Sequence, residues 1–341
     1  MRPTERRRLG RTGVELSALG LGGGPLGELF VRVSEADAQA TLEAAWTAGV
    51  RYFDTAPWYG RGLSEHRVGR FLRGVRRGEA VVSTKVGRVL RRPRDPGRFD
   101  TAPWAGGLRF EVVFDYGYDA ILRSYEDSLQ RLGLERVDVL LVHDLDVRHH
   151  GDELGRHVAQ LTTGAGWRAL EELRAAGEVR ALGFGINELG LIPRFLDLVD
   201  VDVFLVAMRY TLLDQRTLDE ELPRCAERGV GIVVGAVFNS GILATGAVPG
   251  AKYDYAGAPP KVLAKVERID AVCRRHGVPL PAAALQFPLA HESVAAVIPG
   301  AIAPEQVDAN VLALEQPIPP AFWVELKAEG LLLSDAPVPV G

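Results

Sequence analysis

Short apolar runs that end in glycine or a polar residue alternate with longer amphipathic segments along most of the chain. Strands buried on both faces of a parallel sheet have this continuous apolar character, whereas half-exposed strands alternate between apolar and polar residues. We therefore predict eight strands, at Leu19–Leu21, Tyr52–Asp54, Val81–Lys85, Val137–His143, Ala181–Gly185, Val203–Val206, Gly231–Ala236 and Val294–Pro299.

Amphipathic segments of helical length lie between these runs. The predicted helices are Ser34–Ala48, Ser64–Arg73, Tyr118–Leu132, Gly164–Ala176, Ile192–Val199, Leu218–Arg228, Pro260–Arg275 and Pro304–Leu314. The first begins at Ser34 with Asp37 three residues later, a spacing close to that of a capping box. The repeated strand–helix order over one undivided length indicates parallel βαβ units. Eight such units closing on themselves predict an α/β fold, a (β/α)8 TIM barrel formed by residues 1–341 as one domain.

Two further segments decorate the predicted barrel. Arg8–Ser17 contains a glycine-rich turn between short flanks, and we expect a hairpin there over the bottom of the barrel. Gly87–Asp115 is a long connection rich in Gly, Pro and Arg that includes Trp104. Because this connection follows the third strand, it should lie with other extra loops and helices on the C-terminal face, where barrel enzymes carry their active sites.

The composition is that of an ordinary globular protein, with 341 residues, 47% hydrophobic and 25% charged. The net charge of −4 provides no basic field for nucleic acid, and no apolar stretch is long enough to predict a membrane span. Cys225 and Cys273 form no Cys-x-x-Cys pair and are expected to be small buried residues. The arginines at positions 6–8 are not followed by the apolar core of an export signal, so we predict a cytoplasmic protein of undefined oligomeric state.

Four residues with chemically active side chains stand at or just beyond the ends of predicted strands, namely Asp54, Tyr59, Lys85 and His143. Each has a simpler explanation by itself. Asp54 could cap a turn, Tyr59 could be an aromatic residue on the rim, and Lys85 could pair with a surface acid. His143 could be a core histidine. Because the C-terminal ends of barrel strands meet at one mouth, we predict that the four side chains form one site.

Together these groups suit proton exchange at a carbonyl or alcohol oxygen. The pKa of a free tyrosine is about 10. We expect the Lys85 ammonium to lower the pKa of Tyr59 and the Asp54 carboxylate to keep Lys85 in place and charged. His143 could hydrogen-bond the substrate oxygen or relay its proton. A bound cofactor must supply or accept the hydride, because no side chain does so.

These four residues lie in segments that resemble the aldo-keto reductase superfamily. The similarity extends from about Leu9 to Asn310 and includes Phe53–Gly60, Ser83–Gly87, Arg123–Gly133, Leu141–Asp144 and Ile298–Ala301. The resemblance implies that Tyr59 is the general acid/base and that Lys85 and Asp54 tune it. It also implies that His143 orients the substrate.

The resemblance further implies a nicotinamide cofactor lying across the barrel mouth. The residues implied as its contacts are Gly22, Asp54, Asn187, Phe238, Ser240, Gly241, Pro299, Gly300, Gln306 and Asn310. Asn187 corresponds to the carboxamide-binding Asn of the family. Ile186 and Ala207 stand where Ser and Gln are common, and Gly235 stands where an aromatic residue usually stacks on the nicotinamide, with Phe238 nearby.

The same comparison bears on the choice of cofactor. NADPH-preferring members of the family usually have a Lys and an Arg at the places of Gly300 and Gln306. A phosphate dianion is best bound by charge-assisted donors, and neither residue carries a charge. We therefore expect NAD, while an Arg from Gly87–Asp115 could still bind the 2′-phosphate of NADP.

Two charged clusters lie outside these motifs. The basic run of Arg88, Arg91, Arg92, Arg94 and Arg98 is expected to be solvated and flexible, with a lid that binds phosphates or acidic substrates as the alternative. A histidine-rich cluster comprises His149, His150 and His157 with Asp146, Asp152 and Glu153. The cluster lacks Cys and regular ligand spacing, so we expect a polar surface loop and no metal site.

Within the superfamily the chain is similar to bacterial aldose dehydrogenases that act on D-threo-aldoses or L-fucose, through Val113–Tyr116, Arg209–Gln215 and Phe238–Leu243. This similarity implies oxidation of a sugar lactol to a lactone. Pyridoxal, also a cyclic hemiacetal, is an alternative substrate, and Trp58 and Trp104 could stack on either ring or serve only as packing residues. A general NADPH-dependent aldehyde or ketone reductase and a non-catalytic, cofactor-sensing subunit remain further alternatives.

Overall fold

The computed structural model describes residues 1–340, within which helices and strands follow one another as a (β/α)8 barrel. The strands are β1 (Arg6–Arg8), β2 (Glu15–Ser17), β3 (Leu21–Gly22), β4 (Tyr52–Asp54), β5 (Val81–Val86), β6 (Arg88–Arg91), β7 (Glu111–Phe114), β8 (Val139–His143), β9 (Ala181–Ile186), β10 (Val203–Ala207), β11 (Gly231–Gly235), β12 (Lys252–Tyr253), β13 (Ala256–Gly257) and β14 (Val294–Ile298). The helices are α1 (Glu35–Thr47), α2 (Leu63–Leu72), α3 (Tyr118–Leu132), α4 (Val147–His150), α5 (Leu154–Leu161), α6 (Gly166–Ala175), α7 (Leu191–Leu198), α8 (Glu221–Arg228), α9 (Ile242–Thr245), α10 (Pro260–His276), α11 (Leu280–Gln286), α12 (Pro304–Glu315) and α13 (Pro320–Ala328).

Eight parallel strands form the barrel, in the order β3, β4, β5, β8, β9, β10, β11 and β14. Backbone hydrogen bonds join the first strand region to the last: the Gly20 amide donates to the Val297 carbonyl, and the Val297 amide donates to the Ala18 carbonyl, each over 2.9 Å. The predicted fold class is therefore confirmed. The eight predicted strands are all present, with ends that differ by two residues at most because strand ends depend on pairing rather than on apolar character.

The barrel interior follows from the two-residue period of a strand, which sends alternate side chains to the same face. Tyr52 and Asp54 of β4 both point inward, and Asp54 lies one layer closer to the C-terminal end. Below that layer the interior is apolar. It is filled by Leu9, Val14, Leu16, Tyr52, Val81, Val139, Leu141, Ala181, Val203, Leu205, Val233, Ala295, Ala296 and Ile298.

The N-terminal hairpin covers the bottom of the barrel, as predicted. β1 and β2 pair antiparallel, and their connection places Leu9, Val14 and Leu16 fully buried in the barrel interior. Gly10 lies against the start of β11 with a positive φ of 52°, and a Cβ there would come within 2.4 Å of the Gly231 amide nitrogen. Only glycine fits this close approach of two backbones.

Helices pack outside the barrel around a second, larger apolar core. The predicted N-cap of α1 is present, since the Ser34 hydroxyl accepts a hydrogen bond from the Asp37 amide over 3.0 Å. Aromatic rings fill the space between β9 and its neighbouring helices. Phe184 of β9 stacks on Phe195 of α7 with ring centroids 4.0 Å apart, and on Trp167 of α6 at 5.4 Å.

Extra elements cluster beyond the C-terminal ends of the strands, as expected. The Gly87–Asp115 connection lies there, but it contains the antiparallel hairpin β6–β7 rather than loop alone. The apolar pattern of the sequence did not predict this hairpin, the small hairpin β12–β13 after β11, or helices α4, α5, α9, α11 and α13. Within residues 1–340, no helix combines the length and the apolar character needed to cross a bilayer.

The hairpin at the barrel bottom should contribute to stability and not to activity. We expect Leu16→Ala to lower the free energy of unfolding by about 2–5 kcal/mol, because it opens a cavity among fully buried side chains. Urea denaturation of Leu16→Ala and of the control Leu198→Ala, which alters a leucine that is 46% exposed, measures this difference. A fall in kcat at temperatures where the variant is folded would contradict this separation of stability from activity.

Candidate active site

The four side chains predicted to act together do meet at the C-terminal mouth of the barrel. Asp54 ends β4, Lys85 lies near the end of β5 and His143 ends β8. Tyr59 lies in the tight 3-10 turn that follows β4. All four line one cavity of about 510 Å³.

Lys85 and Asp54 form an ion pair that is almost completely buried, with each side chain 1% exposed. The Lys85 Nζ donates to Asp54 Oδ1 over 2.8 Å, to Asp54 Oδ2 over 2.7 Å and to the Thr55 carbonyl over 2.8 Å. The Ser83 hydroxyl donates to Asp54 Oδ1 over 2.6 Å. Burial lowers the pKa of Lys85, and the Asp54 carboxylate opposes that change. The Asp54 carboxylate therefore lies where it can hold the Lys85 ammonium in place.

Tyr59 lies beside this pair. The Lys85 Nζ is 4.6 Å from the centre of the phenol ring, and the His143 ring meets the phenol ring edge-on at 5.8 Å between centroids. Burial raises the pKa of Tyr59 well above its ordinary value, and Asp54 and Asp144 add to that increase. The expected lowering of the pKa of Tyr59 is therefore wrong for the protein without a ligand, because burial is the largest cause of the shift.

His143 is a neutral imidazole at physiological pH. Burial brings the pKa of His143 well below its ordinary value; Asp144 opposes this shift, whereas Arg88 and Lys85 add to it. The ring nitrogen Nδ1 is buried and has no hydrogen-bond partner within residues 1–340. His143 lines the cavity beside Tyr59, and a neutral imidazole there can form a hydrogen bond to a substrate oxygen.

Arg88 is part of the site, although its basic run was expected to be solvated. Its side chain is 3% exposed and forms an ion pair with Asp144, the residue after His143. The guanidinium carbon lies 4.8 Å from the Trp58 ring centre and 4.9 Å from that of Phe114. The other four arginines, Arg91, Arg92, Arg94 and Arg98, are exposed. The apolar pairs Val89–Leu90 and Val112–Val113 within this connection, which face each other across the β6–β7 hairpin, are a sequence signal that the segment is structured.

The histidine cluster is also more buried than the predicted surface loop. His150 and His157 are each 8% exposed on α4 and α5, and His150 Nε2 lies 2.8 Å from the Tyr116 hydroxyl. Ligand atoms of Asp144, Asp146 and His149 lie within 4.8 Å of one another. Both carboxylates already have partners, because Asp144 pairs with Arg88, and Asp146 Oδ1 lies 2.7 Å from His149 Nδ1.

Most of the implied cofactor contacts line the same cavity. Those that do so are Gly22, Asp54, Asn187, Phe238, Ser240, Gly241, Pro299 and Gly300. Gln306 and Asn310 lie outside it on α12, and the Gln306 side-chain oxygen accepts a hydrogen bond from the Ile302 amide over 2.9 Å. Asn187 Oδ1 is buried without a partner within residues 1–340, which fits an acceptor for the amide of a nicotinamide.

Aromatic side chains form the substrate side of the cavity. Trp58 and Trp104 meet edge-to-face with centroids 5.3 Å apart, and Trp104 lies 6.1 Å from the ring of Tyr59. Both tryptophans line the cavity. Phe30 and Tyr255 line it as well, and the sequence pattern does not reveal them because both lie in short irregular segments.

A barrel whose mouth combines a buried lysine–aspartate pair, a tyrosine, a neutral histidine and an unpartnered asparagine is equipped for hydride and proton exchange. The sequence matches the profile of the aldo/keto reductase family over residues 18–329. The chain belongs to this family. It is accordingly an oxidoreductase that acts on CH–OH groups with a nicotinamide cofactor.

Sequence similarity to characterised relatives extends over almost the whole chain. A pyridoxal 4-dehydrogenase of Microbacterium luteolum is 47% identical over 340 residues, which cover 97% of this chain and 99% of the relative. A D-threo-aldose 1-dehydrogenase of a Pseudomonas species is 43% identical over 329 residues, covering 94% and 96%. The solved holo structure of an aldo-keto reductase from Bacillus halodurans has a TM-score of 0.72 and 27% identity, covering 98% of both chains.

The geometry predicts that activity depends on the Tyr59 hydroxyl. We expect Tyr59→Phe to lower kcat by about a hundredfold to ten-thousandfold, since positioned proton transfer contributes this much. Steady-state rates followed by the absorbance of the reduced nicotinamide measure the effect. Tyr125→Phe is the matched control, because Tyr125 lies on α3 outside the cavity. Turnover by Tyr59→Phe at the unsubstituted rate would remove Tyr59 from the reaction.

Proposed function

We propose that this protein oxidises a cyclic hemiacetal, foremost a sugar lactol, to the corresponding lactone. The observation that carries the proposal is the pair of near-full-length relatives named for pyridoxal and for D-threo-aldoses. Aldoses and pyridoxal differ in composition, yet both close into a ring whose hemiacetal carbon bears one hydrogen and one hydroxyl. A cavity of about 510 Å³ with tryptophan walls suits a ring of this size.

In this proposal each residue of the site has a defined task. A nicotinamide held beside Asn187 would serve as the acceptor of the hydride from the hemiacetal carbon. Tyr59 takes the proton from the hydroxyl oxygen, so that the carbon–oxygen bond becomes the carbonyl of the lactone. Neutral His143 holds the same oxygen by a hydrogen bond, and the Lys85–Asp54 pair fixes a positive charge 4.6 Å from the Tyr59 ring.

We propose NAD as the preferred cofactor. Gly300 is uncharged, and Gln306 has its side-chain oxygen engaged by the Ile302 amide. The charged residue in the first turn of α12 is Glu305, which would repel a 2′-phosphate. A neutral ribose hydroxyl meets no such repulsion.

Pyridoxal is the second candidate substrate. The relative with 47% identity favours it, as do the faces of Trp58 and Trp104, on which an aromatic ring can stack. The two candidates share the same chemical step. They differ only in the ring that the tryptophans would contact.

Initial rates with NAD⁺ and NADP⁺, each combined with L-fucose, D-arabinose, L-galactose and pyridoxal, test the proposal. We expect reduction of NAD⁺ with at least one of these hemiacetals, and a lower kcat/KM with NADP⁺. Oxidation of NADPH by simple aldehydes, with no hemiacetal oxidised, would establish a general reductase instead. Cofactor binding without turnover of any substrate would indicate a cofactor-sensing subunit.

The pH dependence of the oxidation follows from the raised pKa of Tyr59. Only the deprotonated phenol can accept the hydroxyl proton, so kcat/KM for oxidation should rise with pH and reach no plateau below about pH 9. The reverse reduction uses the protonated phenol and should change little over the same range. Initial rates in both directions measure the profiles, and a plateau in the oxidation near neutral pH would contradict the raised pKa.

A further inference from the structure

Asp144 has a backbone conformation that turns its side chain into the cavity. It directly follows His143, so the alternation of a strand would place the two side chains on opposite faces. Asp144 instead has a φ of +46°, in the left-handed region that non-glycine residues rarely adopt, and both residues line the cavity. Its amide donates to the Gly185 carbonyl over 3.0 Å, which holds this turn in place. Such strain is maintained where the side chain must point to a site.

Arg88 fixes the Asp144 carboxylate and keeps it ionised. The Arg88 guanidinium is held between the rings of Trp58 and Phe114 and donates to Asp144 Oδ2. Burial by itself would raise the pKa of Asp144, but His143, Arg88 and His149 together bring it down to about 2. The carboxylate is therefore a permanent anion at neutral pH.

One oxygen of this carboxylate is left for a ligand. Asp144 Oδ2 binds Arg88 and lies 3.3 Å from His143 Nε2, whereas Oδ1 has no hydrogen bond within residues 1–340. The side chain retains 12% of its surface exposed in a residue that lines the cavity. A free carboxylate oxygen is an acceptor only, so its partner must be a donor such as a hydroxyl group.

We propose that Asp144 is a substrate-binding residue that accepts a hydrogen bond from a hydroxyl next to the reacting carbon. The inference rests on the proposed function for the identity of the substrate. The reacting oxygen would lie between Tyr59 and His143, and Asp144 adjoins His143. A group attached to the neighbouring carbon therefore falls beside Asp144 Oδ1. In an aldose this group is the hydroxyl on carbon 2, whereas the phenolic hydroxyl of pyridoxal lies one ring carbon further from the hemiacetal carbon.

A pair of sugars that differ only in this hydroxyl tests the assignment. D-Arabinose bears a hydroxyl on carbon 2, and 2-deoxy-D-ribose is the same sugar without it. We expect the unsubstituted protein to prefer D-arabinose in kcat/KM by about tenfold to a hundredfold, as for a hydrogen bond to a charged group. In Asp144→Asn the preference should fall to within about threefold, because the neutral amide forms a weaker hydrogen bond with the hydroxyl than the carboxylate does.

The ratio of the two kcat/KM values distinguishes binding from support of the fold. A structural defect lowers both rates together and leaves their ratio unchanged. Asp146→Asn is the matched control, since Asp146 is a buried carboxylate two residues away that does not line the cavity. We expect it to preserve the preference for D-arabinose. An unchanged preference in Asp144→Asn would overturn the assignment of Asp144.

A second pair of substrates separates this inference from the proposed function. If no sugar is oxidised, reduction of glycolaldehyde and of acetaldehyde with NADH or NADPH compares an aldehyde with and without a neighbouring hydroxyl. A preference for glycolaldehyde that Asp144→Asn abolishes would support the role of Asp144 even if the lactol proposal fails. Equal preference in both proteins would reject the role of Asp144, whatever the natural substrate.

Discussion

The buried ion pair between Lys85 and Asp54 is the interaction around which the rest of the site is arranged. Removing two charges from water is costly, and the cost is recovered only when the geometry and the remaining hydrogen bonds are satisfied. Here the two charges lie 2.7 Å apart, and Ser83 and the Thr55 carbonyl occupy further hydrogen-bonding positions. Strand β9, two strands away from β5 in the barrel, contributes Gly185, where a Cβ would come within 3.3 Å of the Lys85 stem. The positions of the strands, the polar partners and the absence of a side chain at Gly185 therefore all contribute to holding one ion pair in place.

The lower part of the barrel stabilises the fold, and the upper part carries the site. The lower part is closed by the hairpin and filled with apolar side chains, so it provides hydrophobic stabilisation and a rigid frame. The upper part carries the charged groups, whose burial costs stability. Because the same strands run through both layers, the stable lower part holds the upper side chains in position. This division is why residues at the two ends of one strand, such as Tyr52 and Asp54, belong to different functions.

The sequence predicted those features that follow from strand periodicity and from parallel pairing. Asp54, Lys85 and His143 end apolar runs, and the ends of parallel strands meet. Arg88 could not be placed in the same way, because a run of arginines is ordinarily solvated and its burial depends on Trp58 and Phe114 from distant segments. The pKa of Tyr59 was mispredicted for a related reason. Its direction depends on how completely the folded chain buries the phenol, and spacing along the chain carries no such information.

The buried charges of the cavity balance one another. Lys85 and Arg88 provide two cations, and Asp54 and Asp144 provide two anions, so the pairs compensate each other without a ligand. Beside the free oxygen of Asp144 an anionic group would be repelled, whereas a neutral hydroxylated ring can donate a hydrogen bond to that oxygen. Next to His143 and Asp144 the charges therefore favour a neutral hydroxylated group over a carboxylate or phosphate. This local preference agrees with the proposed substrate class.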